Sequence, residues 1–331
     1  MKQSIAIKKL KLHRYCPVSC VSIVQAIFIA MLLCLLLLLP NHAAAEKSRI
    51  LIAHQGNSSI NQELISQLRN NSKLSSYDVL HKDISTEKLD TATLNSYQLI
   101  IAMGSKTSKS ILDAKVSAPV LSLLMPRHLN KSFKKLYKEK KNWSSLIIDH
   151  PIDRHFNLIS SIMGKHKKTA VLLGPYTKEH KKALNSAAKK TKQRLITELI
   201  NDPENISSSL KRLSNNADVL LTLPDPVIYN KKTIRGILLT SYRKKLPIIG
   251  FSKAYVKAGA IAAIYSKPEQ ISQQAANISN DFLKSKAFKQ RVYYPDDFSV
   301  ALNRKLARSL GINMKSNSAI VKKIKKAEKR R

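Results

Sequence analysis

Residues Leu220 to Gln274 read LLTLPDPVIYNKKTIRGILLTSYRKKLPIIGFSKAYVKAGAIAAIYSKPEQISQQ. Two apolar runs there, Val219–Leu223 and Pro247–Phe251, end in small polar turns, and amphipathic segments such as Lys232–Tyr242 follow them. A short continuous apolar run suits a strand covered on both faces, whereas the amphipathic segments have helical spacing. Strand and helix in alternation predict a parallel sheet with helices on both sides.

The same rhythm extends outward. Thr169–Leu173 and Leu195–Leu199 read as strands, with Lys178–Lys192 and Ile206–Leu213 as helices. In the first half, Arg49–Ala53, Tyr97–Met103 and Val120–Leu124 are strand candidates, and Ser105–Lys115 is a helix of small and basic residues. Ser59 and Gln62 have capping-box spacing, and Ile60, Leu64, Ile65 and Leu68 give the helix after them one apolar face. The fold class is therefore α/β, with parallel sheets covered by helices on both faces. Residues 46–150 form the N-terminal lobe and 151–264 the C-terminal lobe. Two basic segments stand outside the pattern. Lys131–Lys141 is a local departure, and 314–331 is a basic tail whose weak stripe of Ile320, Ile324 and Ala327 predicts a frayed, solvated end or a membrane-surface helix.

Several spaced words carry a resemblance. Pro224-Asp225-Pro226, Asn230, Tyr242-Arg243, the run Leu246 to Ser252 and Val256-x-Ala258-Gly259-Ala260 occur in this order, with Asp149–Pro175 before them and Phe298–Ile312 after. Together they resemble the C-terminal half of the ABC transporter substrate-binding proteins, periplasmic solute-binding proteins whose relatives include tryptophan-type binders. The resemblance covers about Ile148 to Ile312, and the first half matches only in rhythm. It implies a type I periplasmic-binding-protein architecture, two doubly wound parallel-sheet lobes joined by a hinge. In it the chain recrosses after Ala260–Tyr265, helix Pro268–Lys284 packs back on the first lobe within a returning segment of about 265–290, and a closing segment of about 291–313 completes the second lobe.

The chain begins like an exported protein. Lys2, Lys8, Lys9, Lys11 and Arg14 precede an apolar stretch from Val21 to Leu39, and Ala43-Ala44-Ala45 offers a peptidase site after Pro40. Cleavage near Ala45 places the mature protein in the periplasm; the same apolar run is also long enough for an uncleaved anchor. Cys16, Cys20 and Cys34 all precede that site, so the mature chain has neither disulfides nor thiol chemistry. The whole chain has 58 Lys and Arg against 21 Asp and Glu, a formal charge of +37, and loss of the five basic signal residues leaves +32. This favours anionic partners, an anionic membrane surface among them, unless it is only a solvated basic coat. Aromatics are 6% of the chain and no nucleic-acid-binding motif accompanies the charge, so nucleic acid is not an expected partner.

Catalytic motifs are missing. The glycines at 56, 104, 164, 174, 236, 250, 259 and 311 form no GxG, which excludes the dinucleotide fingerprint, the P-loop and the GxSxG elbow. No cofactor is expected, and no enzyme activity. The cluster Asp149-His150-Pro151-Ile152-Asp153-Arg154-His155 reads either as metal-ligand material or as a polar hinge.

In open parallel sheets, ligands sit beyond the carboxyl ends of the strands. Those ends nominate His54, Gln55, Asn57, Ser105, Thr107 and Arg127 in the first lobe, and Tyr176, Asp225, Phe251 and Ser252 in the second. The resemblance implies that the Gly104-Ser105-x-Thr107 turn holds a carboxylate; otherwise its hydroxyls are plain helix caps. Asp225 receives an ammonium or braces a turn, and Tyr176 or Phe251 covers an apolar side chain unless Phe251 is core. Family members place an Asp-Pro pair after the third strand of the first lobe, where this chain has Pro126-Arg127, so the local charge is reversed. The implied function is a periplasmic binding protein of an ABC-type uptake system that closes on a small amino-acid-like or anionic ligand and delivers it to a membrane permease with a cytoplasmic ATPase. The alternative is an envelope ligand sensor of the same fold, coupled to a membrane signalling partner.

Overall fold

Strand β1 (Arg49–His54) shows why each lobe has two cores. Successive strand residues point to opposite faces. Ile50 and Ile52 accordingly join a cluster with Leu64 and Phe282, while Leu51 and Ala53 join another with Ile100, Ile111 and Trp143. A computed structural model describes residues 48–85 and 90–329, together with Phe28 and Met31. The rest of the expected export signal, the Ala43–Ala45 site and the three cysteines lie outside the described residues. Among the described residues, no helix is long and apolar enough to cross a membrane.

The first sheet places β1 between β2 (Asp78–Asp83) and β3 (Leu99–Met103), and continues through β4 (Val120–Met125) and β5 (Trp143–Ile147) to β11 (Val292–Tyr293). All its pairings are parallel. Helices α1 (Ser59–Arg69) and α10 (Pro268–Ser285) cover one face, and α3 (Ser105–Asp113) and α4 (Arg127–Leu136) the other. The second sheet runs β7 (Arg194–Leu199), β6 (Lys168–Leu173), β8 (Val219–Leu221), β9 (Ile248–Gly250), β10 (Ala262–Tyr265), β12 (Ser299–Leu302). Only β12 is antiparallel, against β10. Its faces are covered by α5 (Ile152–Met163) and α6 (Lys181–Lys190) on one side, and by α7 (Ile206–Ser214) and α8 (Ile234–Arg243) on the other. Both sheets reverse strand order at the same place, after the first strand of each lobe. The fold is thus the two-lobed, doubly wound arrangement expected.

Three segments cross between the sheets: residues 148–151, 266–267 and 294–298. One side chain ties two of them together. Arg154, 5% exposed, donates to Pro295 O at 2.8 Å and Asp296 O at 3.2 Å, and its Nε contacts Glu328 at 2.6 Å. His150 lies 3.0 Å from Arg154 Nη1 through Nδ1 and 3.3 Å from Ser266 Oγ through Nε2, which brings in the third segment.

Several details differ from the sequence reading. Ser58, not Ser59, caps α1, accepting from Asn61 N, and Ile60 is exposed. Half of the basic stretch Lys131–Lys141 belongs to α4. β11 belongs to the first sheet, so the chain rejoins the second lobe only after Tyr293, later than the assigned 291. The solvated tail is instead helix α12 (Asn317–Glu328), capped by Ser316 and packed on α5. Its Ile320 and Ile324, four residues apart on one face, are 1% and 0% exposed. Burying each contributes about 1.5–3 kcal/mol, enough to offset much of the cost of ordering the segment.

Candidate ligand-binding cleft

The end of β4 carries the first lobe into the space between the sheets. Its register shifts between Leu123 and Met125, where Leu124 takes a left-handed φ of 56°. Such a bulge bends the strand and redirects the residues after it. Pro126 and Arg127 follow, and α4 starts there without a side-chain cap of its own. Asp149, in the first crossing segment, supplies an acceptor instead, its Oδ2 taking the Arg127 N–H at 2.7 Å.

The resulting cavity measures about 680 Å³ and is lined from both lobes. The first lobe brings Leu124, Pro126, Arg127 and His128, and the crossing segment adds Ile148, Asp149 and His150. Three strand ends of the second lobe face them: Tyr176 and Thr177 after β6, Pro224 to Pro226 after β8, and Phe251 to Ala254 after β9. The lobes touch across the cleft, where the His128 and Tyr176 rings lie 5.0 Å apart at 60° and Lys131 pairs with Glu179. The hydrogen bond from Lys131 holds the Glu179 carboxyl below its ordinary pKa.

Asp225 is a bracing residue. It is 1% exposed, and its Oδ2 accepts from Tyr176 N at 3.1 Å and Thr177 Oγ1 at 2.9 Å, while Oδ1 accepts from Val227 N at 3.1 Å. Gly174 makes this approach possible, because a Cβ there would stand 2.6 Å from Asp225 Oδ2. Ser252 likewise caps the short helix Lys253–Ala258 by accepting from Tyr255 N. Phe251 is half-buried in an aromatic group, 6.0 Å from Tyr229 and 4.6 Å from Tyr255 by ring centroids.

The cavity thus gathers five of the ten nominated residues: Arg127, Tyr176, Asp225, Phe251 and Ser252. The other five are elsewhere. His54 and Asn57 line a separate depression beside Arg69 and His81. Gln55 donates to Ser110 Oγ at 3.3 Å, and Thr107 is packed inside the first lobe at 1% exposure. Ser105 opens α3 after Gly104, whose φ of 85° makes the turn. Sequence reading missed His128, His155, His180 and Tyr229, all of which line the cavity. Only His155 carried any signal, through the cluster 149–155.

Within that cluster, the residues tie neighbouring segments together. His150 joins Arg154 and Ser266, and Asp153 faces Lys190 at 3.3 Å. Among the described residues, no group of three or more His, Cys, Asp or Glu is placed to hold a metal. Burial, reinforced by Arg127 and Arg154, pulls the His155 pKa from 6.5 down to about 3, and burial lowers His150 as well.

Three residues of the lining each carry a buried polar atom without a hydrogen-bond partner among the described residues: Arg127 Nε, His155 Nδ1 and Tyr229 Oη. Orphaned buried groups are uncommon and expensive, so these three mark the lining as under-satisfied in its polar contacts.

The family described as ABC transporter substrate binding protein matches residues 57–326 of this chain. No curated protein matches it significantly in sequence. Among solved structures, the ligand-free, open form of a substrate-binding protein with adhesive properties from Clostridium difficile is 16% identical, covering 82% of this chain and 97% of its own, with a TM-score of 0.62. An ABC domain in complex with L-Trp from Streptococcus pneumonia is 15% identical over 84% of this chain and 98% of its own, with a TM-score of 0.54. A conserved domain protein from Vibrio cholerae is 18% identical, with the same coverage and TM-score. At these identities, the likeness is one of fold.

Proposed function

This chain belongs to the ABC transporter substrate-binding protein family, and we propose that it captures a small organic anion in its interlobe cavity and hands it to a membrane transporter. The family consists of non-enzymatic solute-binding proteins, typically periplasmic, that serve an ABC transporter in the membrane. The observation that carries the reading is the cavity of about 680 Å³ with walls from both lobes. That volume lies within the range of small-molecule sites. Three linked crossing segments are what hinge closure needs, since few backbone positions then separate open and closed forms.

Of the two ligand classes the sequence leaves open, charge favours the anion. Arg127 lines the first-lobe wall, while Asp225 is occupied by three donors. Export, with cleavage near Ala45, is part of the proposal, and N-terminal sequencing of the protein from a periplasmic extract tests it. The ligand reading is tested by a thermal-shift screen of organic acids, amino acids and sugars. A guest at a hundredfold excess over Kd should stabilise the protein by about 2.7 kcal/mol. A screen in which organic acids leave the melting temperature unchanged while a neutral sugar raises it would overturn the anion reading.

A further inference from the structure

The cavity lining combines charged and apolar groups. Arg127 Nη2 donates to His150 O at 2.9 Å, but its Nε is buried without an acceptor among the described residues. The same residue begins α4, a helix of ten residues with no side-chain cap from its N-cap Pro126. Of its first-turn N–H groups, that of Arg127 goes to Asp149; those of His128 and Leu129 have no acceptor among the described residues. A guanidinium and a helix N-terminus together favour a carboxylate, which can accept several charge-assisted bonds at once.

The lining has no comparable place for an ammonium group. It contains two carboxylates. Asp225 gives both oxygens to Tyr176, Thr177 and Val227. Asp149 serves as acceptor for the first N–H of α4, so an ammonium bound to it would lie at the positive end of that helix. Tyr176, Phe251, Tyr229, Ile148 and Ile271 add rings and aliphatic surface to the lining.

We infer that the preferred guest is an aromatic or bulky apolar monocarboxylate without an α-amino group, its carboxylate held by Arg127 and the N-terminus of α4 and its body placed against Tyr176 and Phe251. This rests on the reading of the cavity as the solute site.

The test is calorimetry of the purified protein with three matched probes: indole-3-propionate, L-tryptophan and tryptamine. The acid should bind at least about tenfold more tightly than the amino acid, and tryptamine should not bind. Arg127→Gln should weaken indole-3-propionate by about 10- to 100-fold, as expected for hydrogen bonds to a charged group. Because Arg127 also contacts His150, Arg127→Lys serves as the folded control; it retains the charge, and should recover part of the affinity and the preference for the acid. Tryptophan or tryptamine binding as tightly as the acid, or an acid affinity unchanged in Arg127→Gln, would overturn the inference while leaving the solute site standing. Failure of all three probes also overturns it. If a wider set of organic solutes then leaves the melting temperature unchanged, the solute-site reading itself has failed.

Discussion

The two lobes share a strand order but contribute unequally to the cleft. In the second lobe, the ends of β6, β8 and β9 all reach the cavity. In the first, the ends of β4 and β5 do so, while the ends of β1 and β3 finish in turns that serve their own lobe. Equivalent topology therefore does not make equivalent sites. The rule that ligands sit beyond the strand ends selects candidates, and a single bulge at Leu124, followed by a helix start at Arg127, decides which of them meet the opposite lobe.

The contrast can be tested most severely at the residue that links the lobes. Arg154 is nearly buried, donates to Pro295 and Asp296, and pairs with Glu328 on α12. Arg154→Met should cost roughly 3 kcal/mol, because two crossing-segment carbonyls and a half-buried carboxylate lose their partner. Urea unfolding measures this, and a loss below about 1 kcal/mol would mean that the crossing segments hold without it.

Gly174→Ala probes the second lobe alone. The added methyl group overlaps the Asp225 carboxylate, so the turn that presents Tyr176 and Thr177 must move. Overpacking of this kind costs about 1–3 kcal/mol, and calorimetry should show weaker ligand binding as well. Unchanged affinity would show that the Asp225 brace does not shape the cavity.

Acid sensitivity should originate at the hinge. His155 is buried among Arg127, Arg154 and His150, and its folded pKa is about 3 against 6.5 for the free side chain. The unfolded chain therefore takes up the proton first as the pH falls. The stability contributed by the neutral histidine is complete above about pH 6.5 and declines from there toward pH 3, by up to about 1.4 kcal/mol per pH unit. His150 is shifted in the same direction, chiefly by burial. His155→Phe should flatten the curve of stability against pH between 6.5 and 4, and an unaltered slope would place the acid response elsewhere.

The smallest effect is expected in the first lobe. Thr107→Val replaces a buried hydroxyl away from the cavity, so ligand affinity should stay within about twofold and stability within about 1 kcal/mol. A tenfold loss of affinity would restore the Gly104 turn to the binding site.

Legibility followed the range of the interactions. β1 was readable because Ile50 to Ala53 is a continuous apolar run, and α1 because Leu64, Ile65 and Leu68 recur on one face. β2 was not, since an edge strand reading DVLHKD buries only one residue fully. β5 was hidden by its serines, Ser144 and Ser145, which look like turn material. They are buried with partners far away in sequence or on another element, Gln290 O at 2.8 Å and Asn130 Oδ1 at 2.6 Å. In α12 the isoleucine stripe was visible amid the basic residues, but its partners on α5 were not.

The sequence alone determined what depends on neighbours in the chain. Strand runs, helix faces and ordered words around Pro224-Asp225-Pro226 are sufficient for two α/β lobes and for the family resemblance. Tertiary structure decided what depends on residues far apart. It set Asp225 against Gly174 and Tyr176, Arg127 against Asp149 and His150, and Arg154 against Pro295 and Glu328. The physical reason is that a carboxylate or guanidinium has no intrinsic role: its charge is available to a guest only if the fold leaves its hydrogen bonds unfilled. Asp225 has them filled, whereas Arg127 retains a buried donor with none.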